Sequence, residues 1–311
     1  MPADRLPSCS CSCSCSCSGL QIGGDLRSEV PSTSTSTSTS TKLDGTDRDL
    51  AACLQLALPG LRSAFLFGST LSPLTRKPTS IPDVFALVDD LDYALERFGV
   101  SRLGRRLARG LAPATIALGA EIAGGPTIAK LNLATPTQVS DAIANLRDLS
   151  LAGRLAKQAR LLFARHPSTR AELAAFLDGA IDTMARVTTL GLPRRLTLDE
   201  ASRRCFALSY RAELRPERPA HLAARFDAFA TDYHARYQPR LAAAAWARGI
   251  DVVGGALVDD RPASIRRREG AALAMLLWRS RLRALARWGR APLLYQGWFP
   301  YLVGKLRRAR A

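Results

Sequence analysis

Long apolar runs are what this sequence most plainly lacks. No segment reaches the ~18–20 apolar residues needed to cross a bilayer, and the first forty residues hold no apolar core of a secretory signal. The expected location is therefore cytoplasmic, with any membrane contact peripheral, on the inner face of the cell membrane. Paired cysteines are lacking too. Of the seven cysteines, Cys9, Cys11, Cys13, Cys15 and Cys17 alternate with serine in one tract, while Cys53 and Cys205 stand alone. No disulfide framework is implied, and a spacing of two with no second cluster argues against a zinc knuckle. Histidine is scarce: His166, His221 and His234 are scattered, none at metal-ligand spacing. Acids nearly vanish at one end, where residues 261–311 carry thirteen Arg or Lys against a single carboxylate, Glu269. Such an excess calls for an anionic partner, either lipid headgroups or nucleic-acid phosphates.

What is present is enough for a folded body. The chain has 311 residues, 47% of them apolar, and a formal charge of +17, so it can bury one large core or two smaller ones. Residues 1–45, with a Cys-Ser repeat and a Ser-Thr repeat from Ser32 to Thr41, cannot form a core and are expected to be a disordered tail. Residues 46–136 read as an α/β domain. A helix is expected over Leu50–Leu58 and strands over Ala64–Phe67, Val84–Val88, Ile116–Ile122 and Thr127–Leu133. Residues 137–260 read as helical, through Val139, Ile143, Leu146, Leu149 and Leu151, then Leu161–Phe163, Leu173–Ile181 and Leu222–Tyr237. Residues 261–311 form a basic amphipathic C-terminal segment.

One pattern points to chemistry. Phe67-Gly68-Ser69 closes an apolar run, and Asp83 opens a second, Val84-Phe85-Ala86-Leu87-Val88, which ends in Asp89-Asp90. Glycine lets backbone approach phosphate oxygens, and amides with the Ser69 hydroxyl donate to them. An aspartate beside that turn can hold Mg2+, which takes one or two carboxylates plus substrate phosphates. Asp83 is the expected principal metal ligand, with Asp89 a second candidate or a solvated strand end. Lys130 lies in an apolar strand-like segment, where an unpaired ammonium is costly, so it should face an anionic cavity or snorkel to solvent. Arg154 and Lys157 fall about one helical turn apart and suit a triphosphate or a phosphatidate headgroup. The fold class expected from all this is α+β, a nucleotidyltransferase-like mixed sheet followed by a mainly helical region and a basic amphipathic C-terminal helix.

In that last helix, at ~100° per residue, Arg279, Arg283, Arg287 and Arg290 share one face and Trp278, Leu282, Leu285 and Trp288 the other, with Arg281 alone breaking the segregation. Trp298, Phe299, Tyr301 and Leu302 follow as further anchors. This segregation suits a helix in the headgroup layer better than a nucleic-acid groove; the alternative is a terminal helix whose apolar face packs on its own domain.

Read in order, the motifs resemble the mitochondrial translocator-assembly-and-maintenance type of phosphatidate cytidylyltransferase, from about residue 60 to the end. Phe67-Gly68-Ser69-Thr70 is similar to the family's Tyr-Gly-Ser-Gly loop, and Asp83 to Asp90 to its aspartate-led strand ending in Val-Asp-Asp. Lys130-Leu131-Asn132 stands at its Lys-Tyr-Gly strand, and Ala152-Gly153-Arg154-Leu155-Ala156-Lys157 matches its Ala-Gly-Arg-Leu-x-Lys helix. Leu208-Ser209-Tyr210-Arg211-Ala212-Glu213-Leu214-Arg215 echoes Leu-Ser-Tyr-x-Gly-Asp-x-Arg, and Arg261-Pro262-Ala263-Ser264-Ile265-Arg266 echoes Arg-Pro-Ser-Ser-Ile-Arg. The resemblance implies cytidylyl transfer from CTP to phosphatidic acid with magnesium, giving CDP-diacylglycerol and pyrophosphate at a membrane surface. It also implies catalytic roles for Asp83 and Lys130, nucleotide contacts for Gly68, Ser69, Arg154 and Lys157, and headgroup contacts for Tyr210, Arg215 and Arg266. Thr70 replaces the loop's second glycine, and Leu91 to Arg97 stand where family members carry Trp-His and His-Tyr, so selectivity is expected to differ. Other classes compatible with the residues are a nucleotidyltransferase acting on RNA or protein hydroxyls, and a non-catalytic member of the fold.

Overall fold

Val84 to Val88 are buried without interruption, which requires a strand covered on both faces. The chain meets that demand with helices on either side of a sheet. The computed structural model describes residues 45–68, 71, 81–122, 125–146, 148–213 and 217–294. These belong to the unit Leu43–Ala311; of the expected tail only Gly45 is among them. The first half runs α1 (Gly45–Ala57), β1 (Leu61–Phe67), β2 (Asp83–Val88), α2 (Leu91–Arg97), α3 (Arg102–Gly110), β3 (Ala114–Ile122) and β4 (Gly125–Ala134). There follow α4 (Pro136–Ala144), α5 (Leu149–Leu155), β5 (Ala159–Ala164), α6 (Pro167–Thr188), β6 (Arg195–Thr197) and α7 (Leu198–Arg211). The last part is α8 (Pro219–Asp227), α9 (Ala230–Trp246), β7 (Asp251–Val253), β8 (Ala256–Val258) and α10 (Ala263–Leu294).

A five-stranded mixed sheet has the order β3-β4-β2-β1-β5. β2 and β4 are parallel and the other neighbours antiparallel. Side chains alternate across it. Ala64, Leu66, Val84, Ala86 and Val88 pack with Leu50 and Leu54 of α1 and with Leu91 and Leu95 of α2. Phe65, Phe67, Phe85 and Leu87 face the other way, into a core shared with α4 to α7 and α9. The Phe65 and Phe85 rings stack there with centroids 5.2 Å apart. This second face is the one Asp83 shares with Phe85 and Leu87, so helices cover the side on which the site is built.

The α1 helix and the first four strands lie where the periodicity expects them. Leu161–Phe163, read as helical, instead form the middle of β5, paired antiparallel with β1. Three consecutive apolar residues fit either period, and the free edge of β1 decides the outcome. The region expected to be helical thus supplies a strand to the first sheet. Leu222–Tyr237 divides into α8 and α9 at Ala228-Phe229. A small sheet, β6-β8-β7, is also present. No described helix is long and apolar enough to cross a membrane.

Candidate functional site

Gly68 is the first residue after β1, and the register that pairs Phe67 with Asp83 brings the two together. Its φ of +82° is in the left-handed region, and a β-carbon there would lie 3.3 Å from Asp83 Oδ2. The φ favours glycine, and a larger residue would also press on that carboxylate. The parallel register then sets Asp83 against Lys130, whose Nζ lies 3.2 Å from Asp83 Oδ1, with the side chains 17% and 18% exposed. Lys130 is held from behind by its backbone N–H, which donates to Pro82 O at 2.8 Å. Two residues on, buried Asn132 donates to Val84 O at 3.2 Å, tying the two strands together beneath the pair.

Arg154 arrives from α5. Its Nε donates to Glu213 Oε1 at 3.0 Å, and both side chains are largely buried. Burial pushes the guanidinium down, but Glu213, then Asp83 and Asp148, hold it above its ordinary value. Gly153 makes the crossing of α5 and α7 possible: a β-carbon there would stand 2.7 Å from Ser209 Cβ and 2.8 Å from Ser209 Cα. Lys157, just past α5, places its ammonium 3.5 Å from the centroid of the Tyr210 ring, a cation–π contact. The Tyr210 hydroxyl accepts from Arg225 Nη1 at 3.4 Å, and Arg225 also pairs with Glu217 at 3.5 Å. Gly68 just past β1, Asp83 on β2 and Lys130 on β4 therefore meet at one end of the sheet, Arg154 on α5 senses the charge of Asp83, and Lys157 just past α5 meets Tyr210 of α7.

The two readings of Asp89, second ligand and strand end, are separated by the structure. Asp89 lies past the opposite end of β2, bridging Arg62 at 3.1 Å and Arg165 at 2.8 Å. Along an extended strand that is roughly 20 Å from Asp83, so the two cannot share an ion. Arg165 and Arg62 overcome its desolvation and hold the Asp89 carboxyl below its usual range. Arg266, in the first turn of α10, has its carbonyl beside Gly191. It lies about 20 Å along the helix from Ser280, where α10 meets α5. Ser69 and Arg215 lie outside the described residues, as do Trp298, Phe299, Tyr301 and Leu302.

The amphipathic helix has an orientation that a helical wheel cannot give. Three of the four arginines on that face turn inward while Arg279 stays exposed: Arg287 binds Asp148 and Ala112 O, and Arg290 donates to Leu107 O at 2.9 Å and to Pro113 O. Arg283 donates to Gly110 O at 3.4 Å. Burial, then Arg287 and Arg283, push the Arg290 guanidinium down. The tryptophans face out, Trp278 58% and Trp288 46% exposed, with Met275, Leu282 and Leu285 beside them. Packing of that tryptophan face on the chain's own domain is thereby overturned.

Sequence reasoning gave no role to Glu213, Arg225 or Asp148. Glu213 stands at the acidic position of the Leu208–Arg215 motif, and Asp148 precedes an apolar helix as an N-cap residue does; those were the available signals. Arg225 had none. Comparison of the chain with protein-family models finds none that matches, and comparison with curated proteins finds no match either.

Proposed function

We propose that the chain is a CTP:phosphatidate cytidylyltransferase, a magnesium-dependent nucleotidyltransferase that makes CDP-diacylglycerol and pyrophosphate for phospholipid synthesis at an anionic membrane surface. The observation that carries this reading is the meeting of Gly68, Asp83 and Lys130 at one end of the sheet, with buried Arg154 close enough to feel the charge of Asp83. A backbone open to phosphate oxygens, a carboxylate and two cations are what a nucleoside triphosphate needs. Among the described residues no group of three or more His, Cys, Asp or Glu could hold a metal by itself, so the ion would arrive on the triphosphate, where one carboxylate, Asp83 beside Gly68 and Lys130, suffices. Asp83 would hold it, and the ion when bound would neutralise charge on the phosphate oxygens.

In the reaction a phosphatidate oxygen forms a bond to the α-phosphorus of CTP. The bond from that phosphorus to the α,β-bridging oxygen breaks, and its electron pair leaves with pyrophosphate. Phosphate monoesters are already ionised near neutral pH, with a second pKa of about 6, so no strong general base is required. The Gly68 turn positions the triphosphate, Lys130 and Arg154 neutralise the leaving pyrophosphate, and Lys157 with Tyr210 borders the headgroup side. The outward stripe Trp278–Leu282–Leu285–Trp288 supports a lipid interface. Arg283, Arg287 and Arg290 are spent on the chain's own groups, which leaves exposed Arg267, Arg268, Arg279 and Arg281 as the cations of α10 for an anionic surface, and the exposed tryptophans favour lipid over RNA as that surface.

The test supplies labelled CTP, Mg2+ and phosphatidic acid to the full chain and follows a chloroform-soluble cytidine product. Its formation, dependent on all three and lost in Asp83→Ala, is the expected result. A well-folded chain giving no such product under any Mg2+ concentration would sink the proposal.

A further inference from the structure

Ser280 sits in the middle of α10 and is 1% exposed. Its Oγ accepts the Ser150 N–H at 3.0 Å and donates to Ala212 O at 3.2 Å. Ser150 is in the first turn of α5, where backbone N–H groups have no partner within the helix. Ala212 follows α7 directly and is bonded in sequence to Glu213. A single hydroxyl therefore joins the start of α5 to the end of α7. Those are the two elements that present Arg154 and Glu213 to each other. One helical turn, about 6 Å, separates Ser150 from Arg154.

A second link acts on the same place. Asp148 caps α5 by accepting from Leu151 N at 3.1 Å while binding Arg287 of α10. Its carboxylate also draws Arg283, at 3.8 Å. The first turn of α5 is thus fixed by α10 through a hydroxyl and through a buried carboxylate. The Gly153–Ser209 contact leaves α5 no room to settle closer to α7 if either link is lost.

We propose that Ser280 is a positioning residue: it sets the separation of α5 and α7 at which Arg154 and Glu213 pair, and so fixes where the Arg154 guanidinium stands in the triphosphate cleft. This rests on reading that cleft as the nucleotide site. Ser280 is far too enclosed to touch substrate. Its role differs from that of an ordinary buried serine, whose loss lowers stability and nothing else.

The experiment uses the full chain with Ser280→Ala. The cytidylyl-transfer assay gives KM and kcat for CTP and, separately, for a short-chain soluble phosphatidate. Nitrogen-15 NMR follows exchange of the Arg154 Nε proton with water. The expected result is a CTP KM raised roughly tenfold, as the unmade Ser150 bond releases α5, with the phosphatidate KM within about twofold of wild type. The Arg154 Nε proton should exchange faster. A wild-type CTP KM with a fully protected Arg154 Nε proton in a folded variant overturns the proposal. If the alanine variant does not fold, Ser280→Cys, whose thiol is a weaker donor and acceptor, is read in the same way: a raised CTP KM with faster Arg154 exchange supports the proposal, and both at wild-type values overturn it. If the wild-type chain turns over no CTP, the functional reading fails, and the Arg154 exchange measurement alone decides the positioning role.

Discussion

Replacing Gly153 by alanine tests the geometry of the helix crossing on which Arg154 depends. The new methyl would meet Ser209 Cβ at 2.7 Å and Ser209 Cα at 2.8 Å. Neither atom belongs to a side chain that can swing away, because one is backbone and the other is bonded to it. The helices must separate by several tenths of an ångström, and overpacking of this kind costs ~1–3 kcal/mol. For a unit of this size that is about 3–10 °C in Tm. The same movement stretches the 3.0 Å bond from Arg154 to Glu213. Gly179 supplies an internal control of opposite sign. It lies inside α6, and a β-carbon there meets nothing closer than Ile143 Cγ2 at 3.6 Å. Gly179→Ala should therefore gain ~0.5–1 kcal/mol from reduced backbone entropy. Thermal unfolding by circular dichroism under one buffer reads both. A Gly153→Ala chain melting within about 1 °C of wild type, or one more stable than Gly179→Ala, would refute the reasoning.

Three other outcomes are expected. Asp89→Asn should leave cytidylyl transfer within about twofold of wild type while lowering Tm slightly, since it unties only Arg62 and Arg165; a large loss of kcat with Tm unchanged would restore Asp89 to the site. Trp278→Ser with Trp288→Ser should weaken sedimentation with vesicles of phosphatidylcholine and phosphatidic acid by roughly tenfold or more, whereas equal binding by the variant would remove the exposed stripe from the lipid interface. The Asp259 carboxyl, held below its ordinary 3.8 chiefly by the Arg261 guanidinium, contributes stability that is complete above that value and is lost as pH falls through its lower folded pKa. The Tm gap between wild type and Asp259→Asn should then narrow as pH drops below about 4, and a gap that stays constant to the acid limit of folding would contradict this.

Much of the sheet was legible because strand burial imprints a direct pattern. Val84–Val88 is apolar throughout and turns out to be covered on both faces. The nearness of Gly68 to Asp83 was also readable, since a turn followed by a strand led by an aspartate brings the pair to one sheet end. The partner of Asp83 was harder: Lys130 reaches it through a parallel register between strands separated by α2, α3 and β3, and no local signal sets that register. Asp89 stayed open between metal ligand and strand end because it belongs to the same short motif as Asp83; a strand places its two ends far apart, and the strand-end reading is the one that holds. The helical wheel separated arginine from tryptophan on α10 but could not say which face turned inward. That depends on Asp148 and on the carbonyls of Leu107, Gly110, Ala112 and Pro113, which accept from the buried arginines. The three-residue strands β6, β7 and β8 are too short to carry a period.

Titrating the full chain with Mg·CTP by calorimetry, alongside Asp83→Asn, addresses the nucleotide cleft itself without requiring lipid. Saturable one-to-one binding by the wild-type chain, weakened at least about tenfold by the loss of that single negative charge, is the result expected if Gly68, Asp83, Lys130 and Arg154 form one triphosphate site. Equal affinity for the two chains, or heat no greater than dilution for both, would contradict it.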